Sequence, residues 1–180
     1  MSATPWAYEQ RPDTRTTTVR MGMWLFLASE AMFFGSLFSA YVLLREGSAT
    51  WPDGREVLGL KMPVLNTVVM LALTLAVAGR RMLIATALGI AFVVMAVADY
   101  YVKLNAGLQP SMNLMLACWF TLGAVHTLHV AGGVVANLWV ARGAATSSPL
   151  QLAERLRAVA LYWYFLGVVW LVLLVGFYFT

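Results

Sequence analysis

The residue of this sequence with the clearest chemical potential is Glu30, because it stands inside a long apolar stretch. It is the one charged side chain between Arg20 and Arg45. At 1.5 Å per helical residue, Glu30 would lie about 14 Å from the start of that stretch, near the middle of a bilayer. A charged carboxylate is costly there, so the acid should be protonated or partnered. We interpret Glu30 either as a proton-handling or ligand-binding group, or as a neutral acid that hydrogen-bonds between helices.

Two histidines are the next candidates for chemistry. His126 and His129 are the only histidines, and they are three residues apart, so they share a helical face. A copper centre of the oxidase type needs three histidines, or two cysteines plus histidines, whereas Cys118 is the single cysteine. We therefore predict no metal site and no catalytic residue in this chain. Hydrogen bonding in a packed interface, to Glu30 or to a neighbouring subunit, is the favoured role of the histidines.

Small residues accompany both polar motifs. Ala31, Gly35 and Ser39 follow one another at spacings of four, and Gly132 with Gly133 comes directly after the histidines. Small residues at such spacing let a second helix approach closely inside a membrane. The pattern predicts helix packing at both places.

The elements that must carry these residues are membrane-spanning helices. The chain is 61% apolar and 11% charged, with a mean hydropathy of +0.76, whereas a soluble domain is about 45–50% apolar and about 25% charged. A span needs roughly 20 mostly apolar residues. Five stretches qualify, which predicts an all-α, polytopic bundle of about five transmembrane helices in one domain, after a polar cytoplasmic tail at 1–19. The predicted spans are 21–44, 62–79, 82–102, 113–141 and 158–180.

Basic residues predict the orientation of the bundle. If the N-terminus lies inside, eight of the 12 Lys and Arg residues fall in inner segments and four in outer ones. That excess predicts an inside N-terminus and an outside C-terminus. Four arginines near the inner interface are candidates to hold anionic lipid headgroups, with ordinary positive-inside charge as the alternative. They are Arg20, Arg80, Arg81 and Arg142.

Two connections have a predicted form. Only Gly79, Arg80 and Arg81 separate the second and third spans, which predicts a tight helical hairpin. Ser148, Pro149 and Gln151 match a helix start, with serine as the N-cap, proline at the first position and glutamine at the third. The last helix is therefore expected to begin near Pro149, before its membrane span.

These pieces, in this order, resemble subunit III of the haem–copper respiratory oxidases, the cytochrome c oxidase subunit III family. The most specific block is MGMWLFLASEAMFF at 21–34, which contains Glu30. Further blocks are LNT at 65–67, HTLHVAGG at 126–133, YWYF at 162–165 and VVWL at 168–171. The resemblance spans 21–180, which is nearly the whole chain.

The resemblance implies a five-helix form that lacks the first two helices of a seven-helix form. It also implies a subunit without a redox centre, in a complex of aerobic electron transport whose haem and copper lie in partner subunits. Such a subunit packs against catalytic subunit I, binds phospholipid between its helices, and supports proton uptake and durability of the catalytic site. The buried acid of the family matches Glu30, and its histidine pair matches His126 and His129. The implied location is a bacterial-type inner (plasma) membrane.

Two positions depart from the family pattern. Tyr164 and Gly167 stand where the family commonly has histidine and aspartate, so the polar contacts of the last helix must differ. Two alternatives remain open at this point: a related subunit of a nitric oxide reductase, and an independent small transporter that uses Glu30 as its proton site. The electron donor, cytochrome c or quinol, would bind to another chain. Scattered basic residues make nucleic acid a poor partner.

Overall fold

The fold is a bundle of helices, seen in a computed structural model that describes residues 7–11 and 16–179. Within these ranges the chain forms six α-helices and no β-strand. All of them except the short α2 are long and apolar enough to cross a membrane, which confirms the all-α prediction with five spanning helices. The helices are α1 Thr18–Glu46, α2 Gly54–Leu58, α3 Lys61–Ala78, α4 Met82–Asn105, α5 Leu114–Gly143 and α6 Pro149–Tyr178. Part of the predicted tail lies outside the described residues.

Side-chain caps fix where three of the spanning helices begin. The Thr17 hydroxyl accepts from the third backbone N–H of α1, and the Asn113 side chain does the same for α5. Ser148 and Gln151 form the predicted capping box. The backbone nitrogen of Gln151 lies 3.3 Å from Oγ of Ser148, and the backbone nitrogen of Ser148 lies 3.2 Å from Oε1 of Gln151. Each cap satisfies a donor that the helix leaves unpaired. Helix α6 consequently begins at Pro149, as predicted, and extends beyond the predicted span.

A short connection joins α3 to α4 as the predicted hairpin. The backbone N–H of Arg81 donates to the carbonyl of Ala76 at 2.8 Å, which closes the turn. Arg80 takes a positive φ of 57°, a conformation that side chains other than glycine adopt at a cost. The turn keeps both arginines at the end of the bundle.

The loop after α1 packs against the end of α6 through α2. Asp53 caps α2, and hydrogen bonds from the side chain and backbone of Arg55 lower the pKa of the Asp53 carboxyl. Gly54 lies against the backbone carbonyl of Phe177, where a Cβ atom would have no room. The glycine therefore lets this loop pack closely against the end of α6.

Trp163 on α6 is the centre of the core. Its side chain is fully buried, and its indole N–H donates to Oδ1 of Asn137 at 3.1 Å. A Cβ atom on Gly133 would lie 2.8 Å from the indole ring, and one on Gly89 would lie 3.1 Å from it. Nδ2 of Asn137 donates in turn to the Thr86 hydroxyl at 3.1 Å. Helices α4, α5 and α6 thus meet around one indole ring.

Helix α1 is the least buried of the spanning helices. Only 17% of its apolar stretch is buried inside the chain, against 33% to 44% for the other four. Ala31, Gly35 and Ser39 are exposed, and a Cβ atom on Gly35 would meet nothing within 4 Å. The face that carries the small residues therefore stays open to lipid or to another chain.

The two adjacent glycines of α5 provide a matched test of this packing. We expect Gly133→Ala to lower the stability by about 1–3 kcal/mol, because the added methyl group overpacks the site against Trp163. Gly132→Ala should not lower the stability, since Gly132 is exposed, its nearest neighbour is the Tyr162 hydroxyl at 3.6 Å, and alanine is the better helix former. Thermal unfolding of the purified chain in detergent measures both. Equal effects would contradict the packing described for Trp163.

Candidate functional site

The structure brings Glu30 of α1 and His129 of α5 together. Oε2 of Glu30 lies 3.0 Å from Nε2 of His129. Both side chains are mostly buried, with 17% of the glutamate and 21% of the histidine exposed. An intramembrane acid needs such a partner, because lipid cannot hydrogen-bond with it. Of the two partners predicted for the histidines, Glu30 is the one that this chain supplies.

The hydrogen bonds of His129 determine how many protons this pair holds. Nδ1 of His129 lies 2.7 Å from the carbonyl oxygen of Val125, which can only accept, so Nδ1 carries a hydrogen. The bond between Nε2 and Glu30 then needs one further proton. That proton belongs either to Glu30, with a neutral imidazole, or to His129, with an ionised carboxylate. Both states have zero net charge, so the pair can move one proton internally without exposing net charge to lipid.

Aromatic side chains surround this pair. The ring centroids of Phe34 and Phe33 lie 5.0 and 6.1 Å from that of His129. The Tyr162 hydroxyl donates to the backbone carbonyl of His129 at 2.9 Å, which joins α6 to the same point. Apolar surroundings strengthen a hydrogen bond between the two groups.

His126 has a different environment and does not join the pair. Its side chain is fully buried, and Nε2 lies 3.1 Å from the carbonyl oxygen of Leu166. Nε2 is therefore protonated, while Nδ1 has no hydrogen-bond partner among the described residues. The rings of Phe92 and Trp170 lie 5.6 and 5.5 Å away. The geometry gives His126 a packing role between α5 and α6, with its Nε2–H bound to the Leu166 carbonyl.

Glu154 is a buried acid whose role the sequence analysis missed. It is 2% exposed and accepts hydrogen bonds from the Thr17 hydroxyl at 2.9 Å, from Arg20 at 3.0 Å and from Arg157 at 2.6 Å. These contacts fasten the start of α1 to α6. The spacing of Glu154 and Arg157 was a visible signal for an ion pair on one helix. The partners on α1 lie more than 130 positions away, so no local pattern showed them.

The predicted lipid-binding arginines are divided among several surfaces. Arg20 and Arg80, together with Arg157, line a mostly apolar groove of about 830 Å³ between α1, α3 and α6. Arg80 and Arg81 also line a second groove of about 480 Å³ beside α4, α5 and α6. Arg142 is exposed near the end of α5. Two of the four predicted arginines, Arg20 and Arg80, thus share a groove with Arg157, which was not predicted to bind lipid.

The two positions that depart from the family pattern line a smaller groove. Tyr164 and Gly167 border a space of about 240 Å³ between α3 and α6, and a Cβ atom on Gly167 would lie 3.4 Å from the Thr74 hydroxyl. Close by, the indole N–H of Trp170 donates to the Thr67 hydroxyl at 3.0 Å. The Thr67 hydroxyl of α3 therefore provides a polar contact for this part of α6.

The described residues form no cluster of metal-ligating side chains. In the ranges 7–11 and 16–179, no group of three or more His, Cys, Asp or Glu side chains lies close enough to hold an ion. The site that the described residues build is a polar, proton-holding pair within a helical membrane bundle.

Comparison with known proteins places this bundle in a family. The family model described as cytochrome c oxidase subunit III matches residues 9–180, and the chain belongs to that family. This confirms the resemblance found in the sequence motifs. Cytochrome c oxidase subunit 3 of Thermostichus vulcanus is 30% identical over 91% of this chain and 86% of its own length. Cytochrome bo(3) ubiquinol oxidase subunit 3 of Pseudomonas aeruginosa is 27% identical over 91% of this chain and 85% of its own length.

A third relative has a different organisation. The heme-copper oxidase subunit I+III of Aeropyrum pernix is 28% identical over 84% of this chain, which corresponds to 21% of that protein. Its name joins subunit I and subunit III in one polypeptide.

The hydrogen bonds predict opposite tautomers for the two histidines. In ¹⁵N-histidine NMR spectra of the chain, we expect a neutral ring protonated at Nε2 for His126. For His129 we expect a hydrogen on Nδ1 in every protonation state, because Nδ1 faces the Val125 carbonyl. Single replacements, His126→Gln and His129→Gln, assign the signals. A His126 ring protonated at Nδ1 would contradict this description.

Proposed function

We propose that this chain is the non-catalytic third subunit of a respiratory terminal oxidase complex, whose oxygen reduction and proton translocation take place on partner subunits. The observation that carries the proposal is the family match over nearly the whole chain. The sequence provides two histidines and one cysteine, too few for the three-histidine copper site of such an oxidase. Both histidines also use ring nitrogens in internal hydrogen bonds. Haem and copper would belong to the partners.

A catalytic subunit I is the partner that we propose. The relative that carries I and III in one polypeptide supports their close association. The exposed face of α1 offers a place for a partner helix, because Ala31, Gly35 and Ser39 present little side-chain bulk. Close packing of helices in a membrane favours such small residues. Glu30 of the Glu30–His129 pair is the chain neighbour of Ala31 on this helix.

The Glu30–His129 pair would assist proton uptake by the complex. It holds one exchangeable proton in a neutral hydrogen bond between two helices. A neutral pair avoids the cost of an isolated charge in the bilayer while keeping a proton available. His126 would support the packing of α5 against α6 rather than handle protons.

The groove between α1, α3 and α6 would hold an anionic phospholipid. Its walls are mostly apolar, and Arg20, Arg80 and Arg157 line it. Arg20 and Arg157 share the Glu154 carboxylate, so three cations face one anion and positive charge remains. Negatively charged headgroups on the cytoplasmic leaflet attract such clusters. This fits a bundle with its N-terminus inside, in a bacterial-type plasma membrane.

The two alternative functions are less well supported. The relatives are named as subunits of cytochrome c and ubiquinol oxidases, which favours neither a nitric oxide reductase subunit nor an independent transporter. The names include both cytochrome c and quinol as electron donors, and the donor site would lie on a partner chain in either case.

Purification through a tag on this chain tests the proposal. In mild detergent we expect haem-containing and copper-containing subunits to copurify and the preparation to consume oxygen with a suitable donor. Reduction of nitric oxide by the copurified partner would point to the reductase alternative. Recovery of the chain alone, with full oxidase activity in the remaining membrane fraction, would contradict the proposal.

Substitution of Glu30 separates its proton role from its packing role. Glu30→Gln can still donate a hydrogen bond to Nε2 of His129 but has no transferable proton. We expect an assembled complex with its haems intact. Its turnover should fall by up to about tenfold, which corresponds to a rise in the activation barrier of at most about 1.4 kcal/mol. Glu30→Ala should add a loss of stability.

The control is Glu46→Gln, which removes the exposed acid at the end of the same helix. Oxygen consumption across a pH series measures turnover for each variant. Wild-type turnover and inactivation rate in both Glu30 variants would make Glu30 a packing residue only.

A further inference from the structure

A second buried polar cluster lies at the end of the bundle opposite to Glu154. Asp99 and Lys103, four residues apart on α4, form an ion pair, and each is only 6% exposed. Nζ of Lys103 lies 5.1 Å from the ring centroid of Trp119 on α5. The indole N–H of Trp119 donates to the Tyr178 hydroxyl on α6 at 3.0 Å. The ion pair is therefore enclosed by three helices.

This cluster lies within reach of the aqueous interface. Asp99 comes six residues before the end of α4, which is about 9 Å along the helix axis. Helices α3 and α5 begin at the same end, so Asn66 and Trp119 lie at a similar depth. Two ionised groups at this depth still lose most of their hydration unless other polar groups replace it.

A cavity borders the ion pair and contains an unsatisfied polar atom. It offers about 40 Å³ of space for the centres of water molecules and is lined by Asn66, Asp99, Tyr100, Thr127 and Tyr178, among others. Asn66 is 4% exposed, and its Oδ1 has no hydrogen-bond partner among the described residues. A buried carbonyl oxygen without a hydrogen-bond partner is destabilising. Oδ1 of Asn66 therefore needs a hydrogen-bond donor inside the cavity.

The chemistry of the lining restricts what that ligand is. Lys103 disfavours a metal cation beside Asp99, and Asp99 disfavours an anion beside Lys103. The size restricts the ligand further, because one water needs roughly 10–15 Å³ of such space and two to four polar partners. The cavity therefore fits about three or four water molecules.

We propose that this cavity binds a small cluster of ordered water molecules that hydrogen-bond to Asn66 Oδ1 and to the Asp99 carboxylate. The waters replace hydration that the Asp99–Lys103 pair loses on burial. The site is separate from the Glu30–His129 pair and stands independently of the proposed oxidase role.

Hydroxyl-radical labelling by X-ray radiolysis of the intact complex tests the proposal, because buried side chains beside bound water are oxidised while dry ones are not. We expect Trp119 and Tyr178 to be labelled well above Trp163, which is fully buried in the dry core. Ala96→Val should fill part of the cavity and reduce that labelling severalfold. The matched control, Ala98→Val, adds the same methyl groups to the exposed face of α4 and should leave it unchanged.

A cryo-EM map of the wild-type complex that resolves waters elsewhere provides a second measurement that needs no variant. We expect density within about 2.7–3.2 Å of Asn66 Oδ1. Labelling of Trp119 and Tyr178 at the level of Trp163, or a cavity without density in such a map, would overturn the proposal. Stabilisation by Asn66→Leu would also count against it, since removing an unsatisfied amide from a dry cavity is favourable whereas removing a water ligand is not.

Discussion

Polar side chains inside the spanning helices must find partners within the protein, because the hydrocarbon core of a bilayer offers none. In this chain a few hydrogen-bonded pairs of side chains meet that requirement, and each pair joins different helices. Glu30 pairs with His129 between α1 and α5, and Asn137 links Trp163 to Thr86 across α4, α5 and α6. Because apolar helices gain little from one another in lipid, such pairs, together with close contacts at glycine, set the arrangement of the bundle.

Helix α1 shows what this constraint achieves. It buries the smallest share of its apolar surface, yet polar contacts hold it along its length. The Glu154 cluster fastens its start, the Glu30–His129 pair holds its middle, and the Tyr41 hydroxyl donates to the Gly176 carbonyl near its end. A helix attached in this way keeps one broad face free. That arrangement suits a subunit that must pack against a larger catalytic partner while remaining part of its own bundle.

Much of this protein could be predicted from local sequence. Long apolar stretches predicted five spanning helices, and the Ser148–Gln151 pattern predicted where α6 begins, because both depend on residues close together in the chain. The motif around Glu30 indicated the family that the comparison confirmed. The single cysteine and two histidines limited the metal chemistry available to the chain, since a ligand set cannot exceed the residues present.

The partners of the buried polar groups were decided by the tertiary structure. His126 and His129 share a helical face by spacing, but a separation of three residues still turns them toward different neighbours, the carbonyl of Leu166 and the acid of Glu30. Glu154 carried no local sign of its contacts with α1, which lie across the bundle. The sequence by itself determined which stretches enter the membrane, because hydrophobicity and helix caps are local properties. Only packing decided which proton-holding groups meet, because that depends on how each helix is rotated against the next.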